Sequence, residues 1–488
     1  MQDPLYAPKK NRRESSAQFD LRHPHPHRGY FQGRDISRRL FFQLAGSALT
    51  GSMLAPHASA QTPVNIVDTT GAATLNTAKN VIFILLTGAI SQMDSFDLKV
   101  TSDTPAALEP TMVGDVNWPA GLLPKLGGHL DDIAIIRSMS AWALVHPLAQ
   151  TWVQIGRNPA AALGDIAPNL GSVVAIEKDP ERLPGQVFPA FIALNSAAAA
   201  GPGYFSTSYA PFHVIQPRSG TGGIPNTTNP LDAQNTGIFD ALYTRLQQYA
   251  GGPVPNTSYG DTAAGYSPLY EFARGMMYNP QVEQAFTLSD AERERYGNSS
   301  FGDVCAVANK VVTANQGTRF VQINFGNWDH HADIYGEQNP NGNNLFTIAP
   351  DFDNGLSALL DDLKASGQIN DTLVVALGEF GRTPGISAAG GRDHYLLLSA
   401  MMAGGGVKGG RIIGATNANG SDVTEFGWNG SGDTGPRLVR PEDIESTIYS
   451  AMGIDWTTIR YDDPFKRGFE YVPFARSGKY GPVHELFT

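Results

Sequence analysis

Val81–Leu86 reads VIFILL, and the chain continues into TGAISQMDSFDLK. Six apolar residues in a row, β-branched and aromatic, are too short for a helix core and suit a strand buried on both faces. The polar run that follows packs Thr87, Gly88, Ser91, Gln92, Asp94 and Asp97 into eleven residues. Chemistry placed directly after a buried strand is the usual mouth of an α/β site. The same pattern recurs along the chain. Ile133–Arg137, Phe320–Phe325 (FVQINF) and Thr372–Leu377 (TLVVAL) read as further strands. Between the last two, Phe352, Leu356, Leu359, Leu360 and Leu363 recur at helical spacing, so a helix over Asp351–Ser366 is expected, with Gly367 beyond its end. Helices are also expected near Leu122–Leu130, over Asp303–Thr313, and from Pro441 to Met452. Helices interleaved with buried strands predict a layered α/β architecture.

Two more strand ends carry reactive side chains. FVQINF is followed by GNWDHHADIY, which holds Asp329, His330, His331 and Asp333. TLVVAL is followed by GEFGRTP and then GRDHY, which hold Glu379, Arg382, Arg392, Asp393 and His394. Seven histidines lie beyond residue 60, and three of them fall in these two segments. Carboxylate and imidazole converging on one point can hold a divalent cation. Imidazole near its ordinary pKa can equally act as acid or base. Glu379 is a candidate ligand or base, and Arg382 a candidate fork for a carboxylate, phosphate or sulfate. His146, in ALVHPLAQTW beyond the second strand, is placed to reach the same mouth.

The outer parts of the chain read differently. Ser37-Arg38-Arg39-Leu40-Phe41-Phe42, a weakly apolar stretch and Ala58-Ser59-Ala60 have the form of a twin-arginine export signal. Residues 1–60 are therefore expected to be a leader removed on export, with the twin-arginine translocation machinery as partner and a periplasmic or secreted destination. The mature chain is expected to carry no transmembrane segment. Residues 61–488 are expected to form a single domain. Within it, residues 195–268, rich in Gly, Pro, Ala, Ser, Thr and Asn, read as a loop-rich insertion or cap. From residue 61 on, 26 basic residues stand against 42 acidic ones, a formal net of −16. That balance excludes a general nucleic-acid binder but not a metal protein. One cysteine, Cys305, excludes a disulfide framework and a multi-thiolate zinc site, and its apolar neighbours predict a buried thiol.

The ordered strings GAISQMDSFDLK, IAIIRSMS, LGSVV, NWDHH, LGEFGRTP, GRDHY and GGGVKGGRIIG, behind a twin-arginine signal, resemble the bacterial exported family known as domain of unknown function 1501, over about residues 75–455. That family resembles the alkaline phosphatase and sulfatase superfamily. The resemblance implies a three-layer α/β/α sandwich, alkaline phosphatase-like, with a divalent metal at the strand ends; zinc, calcium, magnesium and manganese all stay open. It implies metal ligands among Asp94, Asp97, Asp329, His331, Glu379 and His394. The catalytic candidates are Ser91, Thr87, Glu379, Arg382 and His394. The implied activity is hydrolysis of phosphate or sulfate esters, with an anionic ester or polysaccharide as ligand. The alternative is a non-catalytic envelope or polysaccharide-binding protein with a degenerate cleft. Two departures from the superfamily pattern stand out. Thr87-Gly88 occupies the place of Asp-Gly, and Phe380 the place of a ligand histidine.

Overall fold

The computed structural model describes residues 66–216, 240–245, 248, 274–276 and 279–488. The expected leader, and most of the 195–268 stretch, lie outside the described residues. Eight strands form the main sheet: β1 Asn80–Leu86, β2 Ile133–Ser140, β3 Phe191–Leu194, β4 Phe212–Val214, β5 Phe320–Phe325, β6 Thr372–Leu377, β7 Leu397–Ala403 and β8 Ile412–Ile413. Their order across the sheet is β8-β2-β7-β6-β1-β5-β3-β4. β1 sits between β5 and β6 and runs parallel to both, with Leu86 opposite Phe325 and Leu85 opposite Leu377. Three strands thus release their chains at one edge. β7 runs antiparallel to β6 and β2, so its N-terminal end reaches that same edge.

Alternation along β1 decides the layering. Ile82, Ile84 and Leu86 enter one core, and Val81, Phe83 and Leu85 enter another on the opposite face. Helices α3 (Ser300–Ala314) and α4 (Leu345–Ala365) pack into the first core. Helices α1 (His146–Ile155), α2 (Leu170–Lys178) and α5 (Pro441–Ala451) pack into the second. Each buried Leu, Ile, Val or Phe on these faces contributes about 1.5–3 kcal/mol. Cys305 lies in the α3 core with its thiol buried and free. No helix among the described residues is long and apolar enough to cross a membrane.

The α4 boundary departs from expectation for a local reason. The sequence places its start after Pro350, a usual helix breaker. In the fold α4 begins at Leu345, behind an Asn344–Thr347 capping box, and Pro350 lies inside it. Pro350 is the sixth residue of α4, past the first four free N–H groups, so it forfeits one hydrogen bond near the helix start, and the cap outweighs that loss. The helix expected near Leu122–Leu130 shrinks to Pro124–Gly127. β7 (LLSAMMA) escapes a sequence reading because it lacks β-branched residues. The 195–268 stretch opens with β4, which extends the sheet at its edge.

α5 places three carboxylates, Glu442, Asp443 and Glu445, in the interior. Glu442 accepts from Trp142 Nε1 at 2.9 Å and Trp152 Nε1 at 3.0 Å, and Asp443 takes the Arg437 fork. Glu445 has only the Tyr449 hydroxyl, at 2.9 Å, and its second oxygen has no hydrogen-bond partner. Burial pushes the Glu445 carboxyl up to about 8, and the Arg157 charge and the Tyr449 bond offset only part of that. The folded state therefore keeps a proton that the unfolded chain releases above the ordinary value of 4.5. Stability from this group is full below that value and is lost as pH rises toward 8. Glu445→Gln should flatten the fall in melting temperature between pH 5 and pH 8. An identical slope in the variant would show that Glu445 does not titrate this way.

Candidate metal centre

Four side chains from three segments converge at the sheet edge described above. His146 opens α1, Asp329 and His331 follow β5, and His394 precedes β7. One ligand atom from each lies within 4.8 Å of all the others. Asp329 Oδ1 is 3.0 Å from His331 Nε2, 3.3 Å from His146 Nε2 and 3.9 Å from His394 Nε2. The Nε2 atoms of His331 and His394 are 3.0 Å apart.

The outer nitrogen of each imidazole is already committed. His146 Nδ1 lies 2.6 Å from Glu379 Oε1, His331 Nδ1 lies 2.7 Å from Asp393 Oδ1, and His394 Nδ1 lies 2.7 Å from the Leu144 carbonyl. Each partner is an acceptor, so each Nδ1 carries the proton and each Nε2 turns a lone pair inward. Three lone pairs and a carboxylate oxygen face one another, and the buried His146 Nε2 has no hydrogen-bond partner among the described residues. The Arg382 guanidinium meets Asp329 Oδ1 and His331 Nε2 from one side, and the lone pair of His146 Nε2 is left unmatched. Ligands about 2.0–2.1 Å from a tetrahedral ion stand about 3.3 Å apart, and the observed 3.0 to 3.9 Å separations bracket that value. A carboxylate or carbonyl behind each histidine is also the usual support of a metal-binding imidazole. The residues fit a divalent ion.

Charge follows the same logic. Burial alone would raise the Asp329 carboxyl, but Arg382 and the neighbouring histidines hold it below the usual range. His146 is raised: burial opposes this, and the Glu379 and Asp329 carboxylates outweigh it. His394 is lowered by burial and by the cations around it. His330 is buried and pushed down to about 4, chiefly by burial, so it stays neutral and apart from the cluster.

Local backbone geometry makes the convergence. Gly88 has φ +95°, and a Cβ there would lie 2.7 Å from the Asp329 nitrogen and 2.8 Å from that of Trp328. Only glycine lets the β1 turn press against the segment that carries Asp329. Gly381–Arg382 pairs with His394–Tyr395, with Arg382 opposite His394. Phe380 packs its ring 4.7 Å from His146 and 4.4 Å from His394. Where the resemblance implies a ligand histidine, this chain has a ring that wedges two imidazoles, and His146 arrives from another segment.

The remaining sequence candidates take other positions. Glu379 is buried behind His146, and its Oε1 also accepts from Gly88 N and Gln150 Nε2, both at 2.9 Å. It supports a ligand from outside the cluster. Arg382 is buried and spends every N–H on the protein. It donates to the carbonyls of Gly88, Ala89 and Arg392, to Asp329 Oδ1 at 2.5 Å, and faces His331 Nε2 at 3.4 Å. No donor is left for an anion clamp. Asp94 and Asp97, expected as ligands, are engaged elsewhere. Asp94 is gripped by the Arg392 fork at 2.8 and 3.0 Å, by Tyr335 and by Ser91. Asp97 meets Lys99, Arg137 and the Thr416 hydroxyl. Of the two hydroxyl candidates, Ser91 is buried and donates to Asp94 at 2.6 Å, and Thr87 lies against Gly326. Asp333 accepts from the amides of Gln338 and Asn339, closing its own turn. The sequence reading did not place Asp393 and Gln150 at the site. Gln150 sits four residues after His146 on α1, one helical turn on, and that spacing is a usable signal.

Glu379→Gln should lower metal affinity about 10- to 100-fold, the usual effect of removing such a support. Competition against a chelator of known affinity measures this. An unchanged affinity would show that Glu379 does not act through His146.

The family described as "Protein of unknown function (DUF1501)" matches residues 78–467. No curated protein sequence matches the chain. Solved structures with partial likeness include Ps i-CgsB in complex with k-i-k-neocarrahexaose, at 12% identity and TM-score 0.39, covering 83% of this chain and 77% of that one. Another is the PsFucS1 sulfatase from Pseudoalteromonas sp., at 12% identity and TM-score 0.37, covering 77% and 68%. A third is the alkaline phosphatase from the Antarctic bacterium TAB5, at 15% identity and TM-score 0.31, covering 71% and 96%.

Proposed function

Because the chain belongs to the DUF1501 family, whose description names no activity, we propose a function from the site itself: a metal-dependent hydrolase of phosphate or sulfate esters on an alkaline phosphatase-like α/β/α sandwich. One observation carries the reading. Three imidazoles with fixed Nδ1 partners and one carboxylate converge as a ready donor set. Three nitrogens and one oxygen suit zinc better than calcium or magnesium, which take six or more oxygens. Such an ion supplies Lewis acidity toward an ester oxygen and a lowered pKa for bound water. Among the described residues this is the one cluster of its kind, so one ion per chain is expected. His146, Asp329, His331 and His394 would hold it, and Glu379, Asp393 and the Leu144 carbonyl would orient the imidazoles. Neither Ser91 nor Thr87 joins the cluster, so water is the proposed nucleophile. The proposed setting is periplasmic or secreted, reached through the Arg38-Arg39 signal.

The spent donors of Arg382 favour a second reading, a non-catalytic envelope or polysaccharide-binding protein. Metal analysis of protein purified without chelators, joined to assays with p-nitrophenyl phosphate and p-nitrophenyl sulfate, separates the two. One zinc per chain with metal-dependent turnover supports the hydrolase. Absence of turnover supports the binding protein, and a chain that takes up no divalent ion and turns over neither ester defeats the hydrolase.

A further inference from the structure

A second concavity lies beside the metal centre, on the other side of the β2 end. It has a volume of about 420 Å³, within the range of small-molecule sites. Trp142, Phe426, Tyr480, Arg437, Arg440 and Lys479 line it, and among the described residues no carboxylate does. That is a local reversal of sign on a chain with a formal net charge of −11.

The cations are fixed but not all neutralised. Arg437 is bound to Asp443. The Arg440 guanidinium lies 3.9 Å from the Trp142 ring centroid. Its Nη1 donates to the Ser140 carbonyl and hydroxyl and to the Ala141 carbonyl. Those bonds hold the group in place and leave its Nε and Nη2 edge without a hydrogen-bond partner among the described residues. Trp142 is held in turn, its ring stacked on Trp152 and its Nε1 bound to Glu442. Lys479 Nζ sits 5.2 Å from the Tyr480 centroid and forms no ion pair among the described residues. A guanidinium edge and an ammonium with spare donors are an anion receptor. Phe426, at 37% exposure, adds apolar wall suited to a ring.

The cavity is tied to the metal centre by backbone. Ala141 N donates to the Leu396 carbonyl at 2.9 Å, and Leu396 lies two residues from His394. Leu144, whose carbonyl holds His394, lies two residues from Trp142. We infer that this cavity is a subsite for a negatively charged sugar unit, so that the substrate is an anionic saccharide longer than one unit. A sulfate, phosphate or carboxylate meets Arg440 and Lys479, its ring rests on Phe426, and the neighbouring unit reaches the metal centre. The inference rests on the ester-hydrolase reading for the fate of that neighbouring unit and on the cavity alone for binding.

The test is calorimetric titration of the full chain with dextran sulfate oligomers, dextran of equal length and inorganic sulfate, near 0.15 M ionic strength. The sulfated oligomer should bind at least tenfold more tightly than either control. Lys479→Glu and Phe426→Ala should each weaken it by tenfold or more. Lys125→Glu, an exposed charge change beside the opposite core, should not. Binding should persist after chelator treatment, with metal content measured separately. Retained binding in both cavity variants, dextran binding as tightly as dextran sulfate, or inorganic sulfate matching the oligomer would each overturn the subsite. Loss of metal and turnover with Lys479-dependent binding intact would remove the hydrolase reading and leave the subsite standing.

Discussion

Asp329→Ala should leave the purified protein with almost no bound metal, a loss of more than about 100-fold in affinity, beyond the 10- to 100-fold typical of a supporting residue. Asp329 is the one anion among the four converging groups, and its Oδ1 is within 3.9 Å of all three imidazole Nε2 atoms. Removing it deletes the formal charge of the donor set and leaves Arg382 pointing a guanidinium at bare histidines. His331→Ala should act in the same direction, since His331 Nε2 is 3.0 Å from both Asp329 Oδ1 and His394 Nε2. Asp97→Ala should leave metal content unchanged, because its carboxylate serves Lys99, Arg137 and Thr416. Thermal unfolding gives a second readout. A ligand at 100 times its dissociation constant stabilises the folded state by about 2.7 kcal/mol. Adding zinc should therefore raise the melting temperature of the parent chain and of Asp97→Ala, but not that of Asp329→Ala. Full metal content in Asp329→Ala would remove the site.

The parts of the fold that were legible in the sequence are those where one physical signal dominates. VIFILL, FVQINF and TLVVAL are buried on both faces and announce themselves as continuous apolar runs. Because chemistry collects where such strands end, Asp329, His331 and His394 could be named before their contacts were seen. Which carboxylate joins the histidines could not. Asp94 and Asp329 are both aspartates beyond a central strand, and no local pattern separates them. Each meets an arginine, Arg392 for one and Arg382 for the other, and the difference is made by His146 and His394, distant in sequence, which reach Asp329. The place of Glu379 is hidden for the same reason. It follows β6 as a ligand would, yet α1 brings His146 and Gln150 onto its Oε1 from more than 200 residues away. Arg382 looked like a substrate clamp because its surroundings were invisible. Three backbone carbonyls, reached only after folding, take up its donors.

The Arg392–Asp94 pair should show the largest stability effect in the molecule. The two side chains are 0% and 1% exposed and meet fork to fork at 2.8 and 3.0 Å. Tyr335 bridges them, donating to Asp94 at 2.7 Å and accepting from Arg392 at 3.2 Å. Breaking such a buried pair from one side costs about 3–5 kcal/mol, because the remaining charge stays buried without compensation. That is a large share of the 5–15 kcal/mol typical of a folded domain. Arg392→Ala should accordingly shift the urea midpoint strongly downward. Arg392→Ala combined with Asp94→Ala should cost less than the sum of the two single changes, since the double variant leaves no stranded charge. Function is coupled to this pair through the backbone. Arg392 N donates to the His330 carbonyl at 3.0 Å, and Arg392 directly precedes Asp393 and His394. One residue thus ties the loop that carries one ligand and one supporting carboxylate to the loop that carries two more ligands. Metal affinity in Arg392→Ala should fall even at temperatures where the chain remains folded, and the double variant should recover stability more fully than it recovers metal. Equal recovery of both would show that the pair serves the fold alone.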